Sequence, residues 1–333
     1  MIPFPPFGPP VSALPGAGLK DQKKARRVYT ACVRRTLAHG TTTSAYYATI
    51  DVDATNLLAD ICLALGQRAF VGRVCMDREG LCPEYYRDES PEDSLRKTRE
   101  TVDHVRSIDP RSEIVAPILT PRFAPACSSA AMKGLADMQK ELDVLVQTHV
   151  SENEGEIELV KELYPRARAT PTCTTPTAFW AKRRSSRTRS TSRRRRRPRS
   201  PRGGQDLALP LQQQQHHERR GAGGVGVAAR GHGLAGEERE RAKLTVEEVL
   251  YLGTKGGAKV EKIGGFEVGM QWDAQLIGLP LVDEDGEQGE GGGNVDVFGW
   301  ESWEDRVAKW LFNGDDRNTK TVWVKGRMVH SRR

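Results

Sequence analysis

The sequence lacks several features that would assign it to a membrane or secreted class. It has no run of about 18 apolar residues, the length that a helix needs to cross a membrane. Its N-terminus has neither a basic n-region nor an apolar h-region, so we expect no secretory signal. Its six cysteines include no C-x-x-C pair, which predicts reduced thiols rather than a disulfide framework. Together these absences predict a cytoplasmic protein.

Basic charge is concentrated in one stretch, residues 182–202, which we call the Arg-rich tract. The tract holds twelve Lys or Arg residues and no acid, whereas the net charge of the whole chain is +7. The rest of the chain therefore carries −5, the difference between +7 and +12. Clustered arginines can bind nucleic-acid phosphates or form a solvated linker. Because no aromatic residues interleave the tract, base stacking has no support, and we expect no nucleic-acid partner.

Strand and helix patterns alternate regularly from about residue 21. The predicted strands are 41–50, 68–75, 113–119 and 144–148. The predicted helices are 22–39, 55–65, one that begins at Ser90-Pro91, one capped by Ser128, and 154–163. Four β-then-α units in sequence predict an α/β fold with a parallel sheet.

The composition divides the chain into four parts. Residues 1–20 are Pro-rich and predicted to be irregular, and 21–172 hold the βα units. Residues 173–243 are Arg-rich low complexity without helical or strand periodicity. Order returns in 244–333, where Thr245–Glu248 predicts a capping box. Further along, the sequence predicts strand-rich chain over 264–279, an acidic glycine loop over 283–294 and a final strand over 321–329.

Polar side chains follow the predicted strands where each of them ends. His149, with Glu152 three residues later, follows one strand, and Arg122 follows another. Because parallel α/β sheets bind ligands at the carboxyl ends of their strands, this grouping predicts a metal-assisted hydrolytic site. The alternatives are a core histidine beside a solvent-facing acid, and an arginine in an ordinary loop salt bridge. Tyr46 and Tyr47 also lie at a strand end, where strand packing is the commoner role.

Six runs of sequence occur in the order in which one enzyme family has them. They are Val28–Thr43, Gly66–Asp77, Thr120–Phe123, Thr148–Asn153, Gly265–Gly269 and Gly314–Asn318. Through these runs, residues 28–172 and 244–330 resemble the guanine deaminase family of the amidohydrolase superfamily. The resemblance implies a (β/α)8 TIM-type barrel, of which 21–172 would form the first half. It also implies a small β-domain, of which 244–333 would hold a remnant after one barrel helix.

The resemblance also implies a reaction and roles for particular residues. The family hydrolyses guanine to xanthine and ammonia in purine catabolism, uses one zinc ion, and forms homodimers. By resemblance, His149 is a zinc ligand and Glu152 relays protons between the metal-bound water and the purine. Arg122 would hydrogen-bond the polar edge of the purine, and Phe123 would help to form the base pocket.

The sequence departs from the family pattern at the metal ligands. A His-x-His pair is expected on the first barrel strand, and the sequence contains no such pair. A further histidine and an aspartate ligand would fall where residues 173–243 stand. We therefore expect impaired catalysis, and we hypothesise that 173–243 comes from a shifted reading frame or an unspliced intron, and that Met1 starts a truncated gene model. The alternative function is a non-catalytic half-barrel whose Arg-rich tract binds nucleic acid.

Overall fold

The computed structural model describes residues 15–150, 153–165, 245–256, 263 and 265–332. The helices are α1 (Gln22–Ala38), α2 (Val52–Leu65), α3 (Pro91–Ile108), α4 (Ser129–Leu142), α5 (Glu154–Leu163), α6 (Val246–Tyr251) and α7 (Trp303–Asn313). The strands are β1 (Thr43–Tyr47), β2 (Arg68–Gly72), β3 (Val74–Cys75), β4 (Val115–Pro121), β5 (Leu145–Val146), β6 (Ala274–Ile277), β7 (Thr319–Val324) and β8 (Arg327–Ser331).

Each helix of the βα units begins where a side chain accepts hydrogen bonds from the first turn. Asp51 caps α2, Ser90 caps α3 and Ser128 caps α4. Such caps satisfy backbone N–H groups that have no partner inside the helix. Helix α2 ends at Gly66, whose φ of 79° is the left-handed conformation that glycine adopts without strain. The predicted starts at Ser90 and Ser128 are confirmed.

The first four βα units build one parallel sheet in the order β1-β2-β4-β5, and β3 continues β2 alongside β4. Neighbouring strands are about 4.8 Å apart, so the outer strands of a flat sheet of four would be about 14 Å apart. Yet the ring of Tyr47, at the end of β1, lies 4.4 Å from the ring of His149, beyond β5. The sheet is therefore strongly curved, as in part of a barrel wall.

Arg73 separates β2 from β3, and its side chain is fully buried together with that of Asp88. The guanidinium forms an ion pair with Asp88 and donates to the carbonyl of Ile50 over 2.7 Å. It also lies 3.4 Å from the Thr98 hydroxyl in α3. The strand predicted over 68–75 is therefore interrupted at Arg73, whose buried guanidinium is bonded to Ile50, Asp88 and Thr98 in three other segments.

A second sheet is antiparallel, in the order β6-β7-β8. The rings of Trp272 and Trp323 pack against each other on it, with centroids 5.3 Å apart. The single strand predicted over 321–329 is wrong. Lys325 and Gly326 have φ values of 52° and 78°, which turn the chain into the hairpin β7-β8.

The two sheets are joined by Arg68, the first residue of β2. Its guanidinium contacts both carboxylate oxygens of Asp273 at 3.1 and 3.4 Å, and donates to the carbonyl of Glu113 over 2.7 Å. The Arg68 and Asp273 side chains are only 4% and 5% exposed. Because a buried charge needs a partner, this pair fixes the small sheet at the amino ends of the parallel strands.

Several other predictions made from the sequence fall on residues that the structure describes. Pro15–Lys20 forms a 3-10 helix, so the irregular chain expected to residue 20 ends earlier. The strand-rich chain expected over 264–279 reduces to β6. Helix α7 was not predicted, although Ser302 and Asp305 form a capping box at its start. The five cysteines within the described ranges form no disulfide with one another. No helix there is long and apolar enough to cross a membrane. The Arg-rich tract lies outside these ranges.

We expect Asp273→Asn to destabilise the protein strongly, because it leaves the Arg68 guanidinium buried without its counter-charge. Losing one partner of a buried pair lowers the free energy of unfolding by about 3–5 kcal/mol. Denaturant titration measures this loss. Asp316→Asn is the matched control, since Asp316 pairs with Arg332 while both side chains are more than a third exposed. Exposed pairs contribute about 0–1 kcal/mol, and equal losses in the two variants would contradict the interpretation.

Candidate functional site

The predicted site residues meet at the carboxyl edge of the parallel sheet. Phe123 and His149 form a parallel bridge just beyond β4 and β5. The Arg122 backbone N–H donates to the carbonyl of Cys75, over 3.1 Å, which ties β4 to the end of β3. Parallel pairing thus brings together residues that are far apart in sequence. Arg122, Phe123 and His149 are confirmed as neighbours in space, while Glu152 lies outside the described residues.

His149 is fixed by two hydrogen bonds to one atom. The carbonyl oxygen of Arg122 accepts from the His149 backbone N–H at 3.1 Å and from its Nδ1 at 2.9 Å. The imidazole is exposed to solvent on one side and contacts the Tyr47 ring on the other, at an interplanar angle of 51°. A hydrogen bond at Nδ1 orients the ring and leaves Nε2 for a ligand, as in metal-binding histidines.

Arg122 extends its guanidinium over an apolar surface. Its Cζ lies 5.6 Å from the centre of the Phe123 ring, and its Nη1 lies 3.8 Å from the Met76 sulfur. The arginine is half-buried and Met76 is fully buried. Placing a guanidinium against an aromatic face and a thioether restricts its orientation.

An apolar cluster lies under the guanidinium and beside Tyr47. Its buried members are Val74, Met76, Cys82, Tyr86 and Ala126, against which Ala17, Tyr47, Ile50 and Phe123 pack. Burial raises the pKa of the Tyr47 hydroxyl, which therefore stays protonated near neutral pH. The edge thus combines one arginine and one histidine with aromatic walls, a composition suited to a flat, polar-edged heterocycle.

The described residues do not make up a zinc site. Among them, no group of three or more His, Cys, Asp or Glu side chains is placed to share a metal ion. Burial raises the pKa of the Cys82 and Cys127 thiols, so neither is a ready thiolate ligand. A catalytic zinc site takes about three protein ligands. At this edge His149 is the one histidine among the described residues, and its Nδ1 bonds the Arg122 carbonyl.

Other histidines occupy ordinary structural positions. His39 caps the C-terminus of α1, and the imidazole of His104 in α3 bonds to Asp60 of α2 at 2.9 Å. His330 lies on β8, in the small sheet. A cavity of about 480 Å³ is present, but Trp300, Phe312 and the other residues that line it belong to α7 and the loop before it. None of these groups extends the strand-end site.

Two residues of the strand-end site, Tyr47 and Gln147, were not predicted from the sequence as part of it. The contact of Tyr47 with His149 depends on the curvature of the sheet, which no local pattern shows. Gln147 is only 1% exposed and bonds to groups on two other strands. A polar residue directly after the apolar run Val144–Val146, two positions before His149, was the available signal, since buried amides need partners.

We predict that the neutral imidazole of His149 carries its hydrogen on Nδ1. The reason is that a carbonyl oxygen can only accept, so Nδ1 must donate to Arg122. Two-bond proton–nitrogen correlation NMR of histidine-labelled protein distinguishes the tautomers. Assignment by His149→Gln identifies the signal, and His104 serves as an internal comparison. A signal showing the hydrogen on Nε2 would contradict the described geometry.

Comparison with known families relates the chain to one class of enzymes. The pattern of the amidohydrolase family matches residues 15–175. The chain is 33% identical to the probable guanine deaminase of Schizosaccharomyces pombe over 347 aligned positions, covering 94% of this chain and 64% of the relative. It is 34% identical to the guanine deaminase of Dictyostelium discoideum, covering 93% and 73%. For the Homo sapiens enzyme the identity is 33%, covering 92% and 72%.

Solved structures agree in fold. The guanine deaminase of C. acetobutylicum with bound guanine superposes with a TM-score of 0.64 at 22% identity, covering 95% of this chain and 78% of that one. The E. coli enzyme gives 0.66 at 20% identity, covering 96% and 76%. These likenesses confirm the predicted α/β fold of the TIM-type amidohydrolases, although the chain spans less than two thirds of the S. pombe relative. By sequence identity over most of its length, the chain belongs to the guanine deaminase family of amidohydrolases.

Proposed function

We propose that this chain carries the guanine-binding edge of a guanine deaminase, whose reaction is the hydrolysis of guanine to xanthine and ammonia. One observation supports this above all: the Arg122 carbonyl accepts both the backbone N–H and Nδ1 of His149. These two hydrogen bonds to one oxygen hold Arg122 and His149 at the same edge, and we assign the arginine to the substrate and the histidine to the metal. A flat purine fits between a guanidinium and aromatic walls.

Each residue has a role that its chemistry permits. Arg122 offers a planar set of N–H donors to the carbonyl side of the purine, and Phe123 covers the base. Tyr47, in contact with the His149 ring, closes the wall on the other side. In the proposed reaction, water adds to the amine-bearing carbon, and the departing amine gains a proton to leave as ammonia. We assign that proton transfer to Glu152.

We further propose that catalysis by the 333-residue chain is impaired. Zinc supplies a nucleophilic hydroxide in such hydrolases. We assign His149 as one of its ligands, and no group of three or more candidate ligands occurs among the described residues. The sequence has no His-x-His pair to provide two more. The homodimer, the cytoplasmic location and the alternative of nucleic-acid binding by the Arg-rich tract stay predictions.

We expect little or no conversion of guanine to xanthine by this chain, even with added zinc. Xanthine formation is followed by chromatography, with the Schizosaccharomyces pombe relative assayed in parallel as a positive control. We expect guanine binding to survive, and isothermal calorimetry measures it. Robust zinc-dependent turnover would overturn the proposed impairment.

The binding site itself is tested with a pair of arginine variants. Arg122→Met should weaken guanine binding at least about tenfold, since it removes charge-assisted hydrogen bonds worth about 1.5–3 kcal/mol. Arg111→Met is the matched control, because Arg111 is an exposed arginine just before β4, at the opposite end of that strand. If both variants bind guanine as the unaltered chain does, the proposed pocket is wrong.

A further inference from the structure

The side chain of Gln147 links the end of β5 to β1, the two outer strands of the curved sheet. It follows β5 directly, is 1% exposed, and its backbone N–H donates to the carbonyl of Leu119 over 2.9 Å. Its Nε2 donates to the carbonyl of Tyr46 in β1 at 2.9 Å and to the hydroxyl of Thr120 in β4 at 2.9 Å. Within the described ranges, no other hydrogen bond joins β1 to the segment 145–149.

The partners of Gln147 lie one layer below the site residues. Tyr46 comes directly before Tyr47, and Thr120 comes two positions before Arg122. Gln147 itself comes two positions before His149. Residues two apart on a strand point to the same face, so one amide group bonds three strands just beneath the groups that form the edge. The amide thus bonds the neighbours of Tyr47 and Arg122 to the segment that carries His149.

The surroundings of Thr120 leave room for the hydrogen bond from Gln147 to the Thr120 hydroxyl. A Cβ atom on Gly72, in the neighbouring β2, would lie 2.0 Å from the Thr120 hydroxyl oxygen and 2.3 Å from the carbonyl oxygen of Ile118. Only glycine permits this close approach. The Thr120 hydroxyl donates to the Ile118 carbonyl at 3.3 Å and so presents its lone pairs to Gln147.

A purely structural role does not explain the Gln147 amide, because burying this amide lowers the stability of the protein. Its Oε1 is buried and has no hydrogen-bond partner in the described part of the chain. An unsatisfied buried acceptor reduces stability, whereas an apolar side chain of similar size would avoid that cost. A buried glutamine is therefore better explained by what its two donated bonds position than by stability.

We propose that Gln147 is a positioning residue for the guanine site: its amide sets the distance between β1 and β5 and so holds the His149 ring against Tyr47. The assignment of a guanine site rests on the function proposed above. The expected effect of Gln147 on the position of the His149 ring does not depend on guanine binding, because it follows from the hydrogen bonds of Gln147 alone. Gln147 would not contact the purine and would act through His149 and Arg122.

Gln147→Leu tests this proposal, and Gln67→Leu is its matched control. Gln67 is also fully buried and also bonds β1, since its Oε1 accepts from the Tyr46 hydroxyl over 2.5 Å. It lies at the amino end of β2, and its Nε2 donates to the Thr41 carbonyl at 3.0 Å. Both variants lose hydrogen bonds of a buried side-chain amide. Only Gln147→Leu loses hydrogen bonds beneath the site.

The measurements are the nuclear Overhauser effect between the Tyr47 and His149 rings, and the guanine dissociation constant. In Gln147→Leu we expect the ring-to-ring effect to fall at least about threefold and guanine binding to weaken at least about tenfold. In Gln67→Leu both should stay within about twofold of the unaltered chain, despite a similar fall in Tm. An unchanged ring contact in Gln147→Leu, or equal changes in the two variants, would overturn the proposal.

A second pair of variants covers the case in which Gln147→Leu does not fold. Thr120→Val keeps the shape of the side chain but removes the acceptor, so the ring contact should weaken. Thr120→Ser keeps the hydroxyl and should restore it, and equal ring contacts in these two variants would overturn the proposal. If the ring contact responds as expected while the unaltered chain binds no guanine, the proposed function fails and the positioning role stands.

Discussion

The buried ion pair between Arg73 and Asp88 is the interaction on which the carboxyl edge of the sheet depends. Both side chains are fully buried, and the Asp88 carboxylate also accepts the backbone N–H of Met76 over 3.2 Å. Through Arg73, the pair reaches the carbonyl of Ile50 and the Thr98 hydroxyl in α3. Two charges in a low-dielectric interior must stay together. The loop after β3 is thereby held where Met76 can support the Arg122 guanidinium.

Curvature turns this edge into a concave site. Pairing of parallel strands aligns their carboxyl ends, but it would leave the outer strands β1 and β5 far apart if the sheet were flat. The contact between Tyr47 and His149 shows that they are close. Barrel geometry is thus present locally in the four strands, in keeping with membership of the guanine deaminase family. The small sheet fixes the opposite end through Arg68 and Asp273.

The sequence predicted correctly those features of the fold that residues close to one another in the chain determine. The caps at Ser90 and Ser128 and the order of βα units are set by residues close in sequence, and the structure confirms them. The break at Arg73 was missed because its cause, Asp88, lies fifteen residues away. The turn at Lys325 was missed because a single glycine, Gly326, marks it in the sequence, while a lysine with φ of 52° has no compositional signature. At the site, strand ends predicted Arg122 and His149, whereas the Tyr47 contact requires tertiary curvature.

The tryptophans are unevenly distributed between the two sheets. Of six in the chain, Trp180 lies outside the described residues and the other five fall between Trp272 and Trp323. None lies in residues 15–165, which contain the parallel sheet and its tyrosines. Emission excited at tryptophan-selective wavelengths therefore reports chiefly on the environment of the Trp272–Trp323 pair and α7. Six of the seven tyrosines lie in residues 15–165, so tyrosine absorbance reports chiefly on the part of the molecule that contains the parallel sheet.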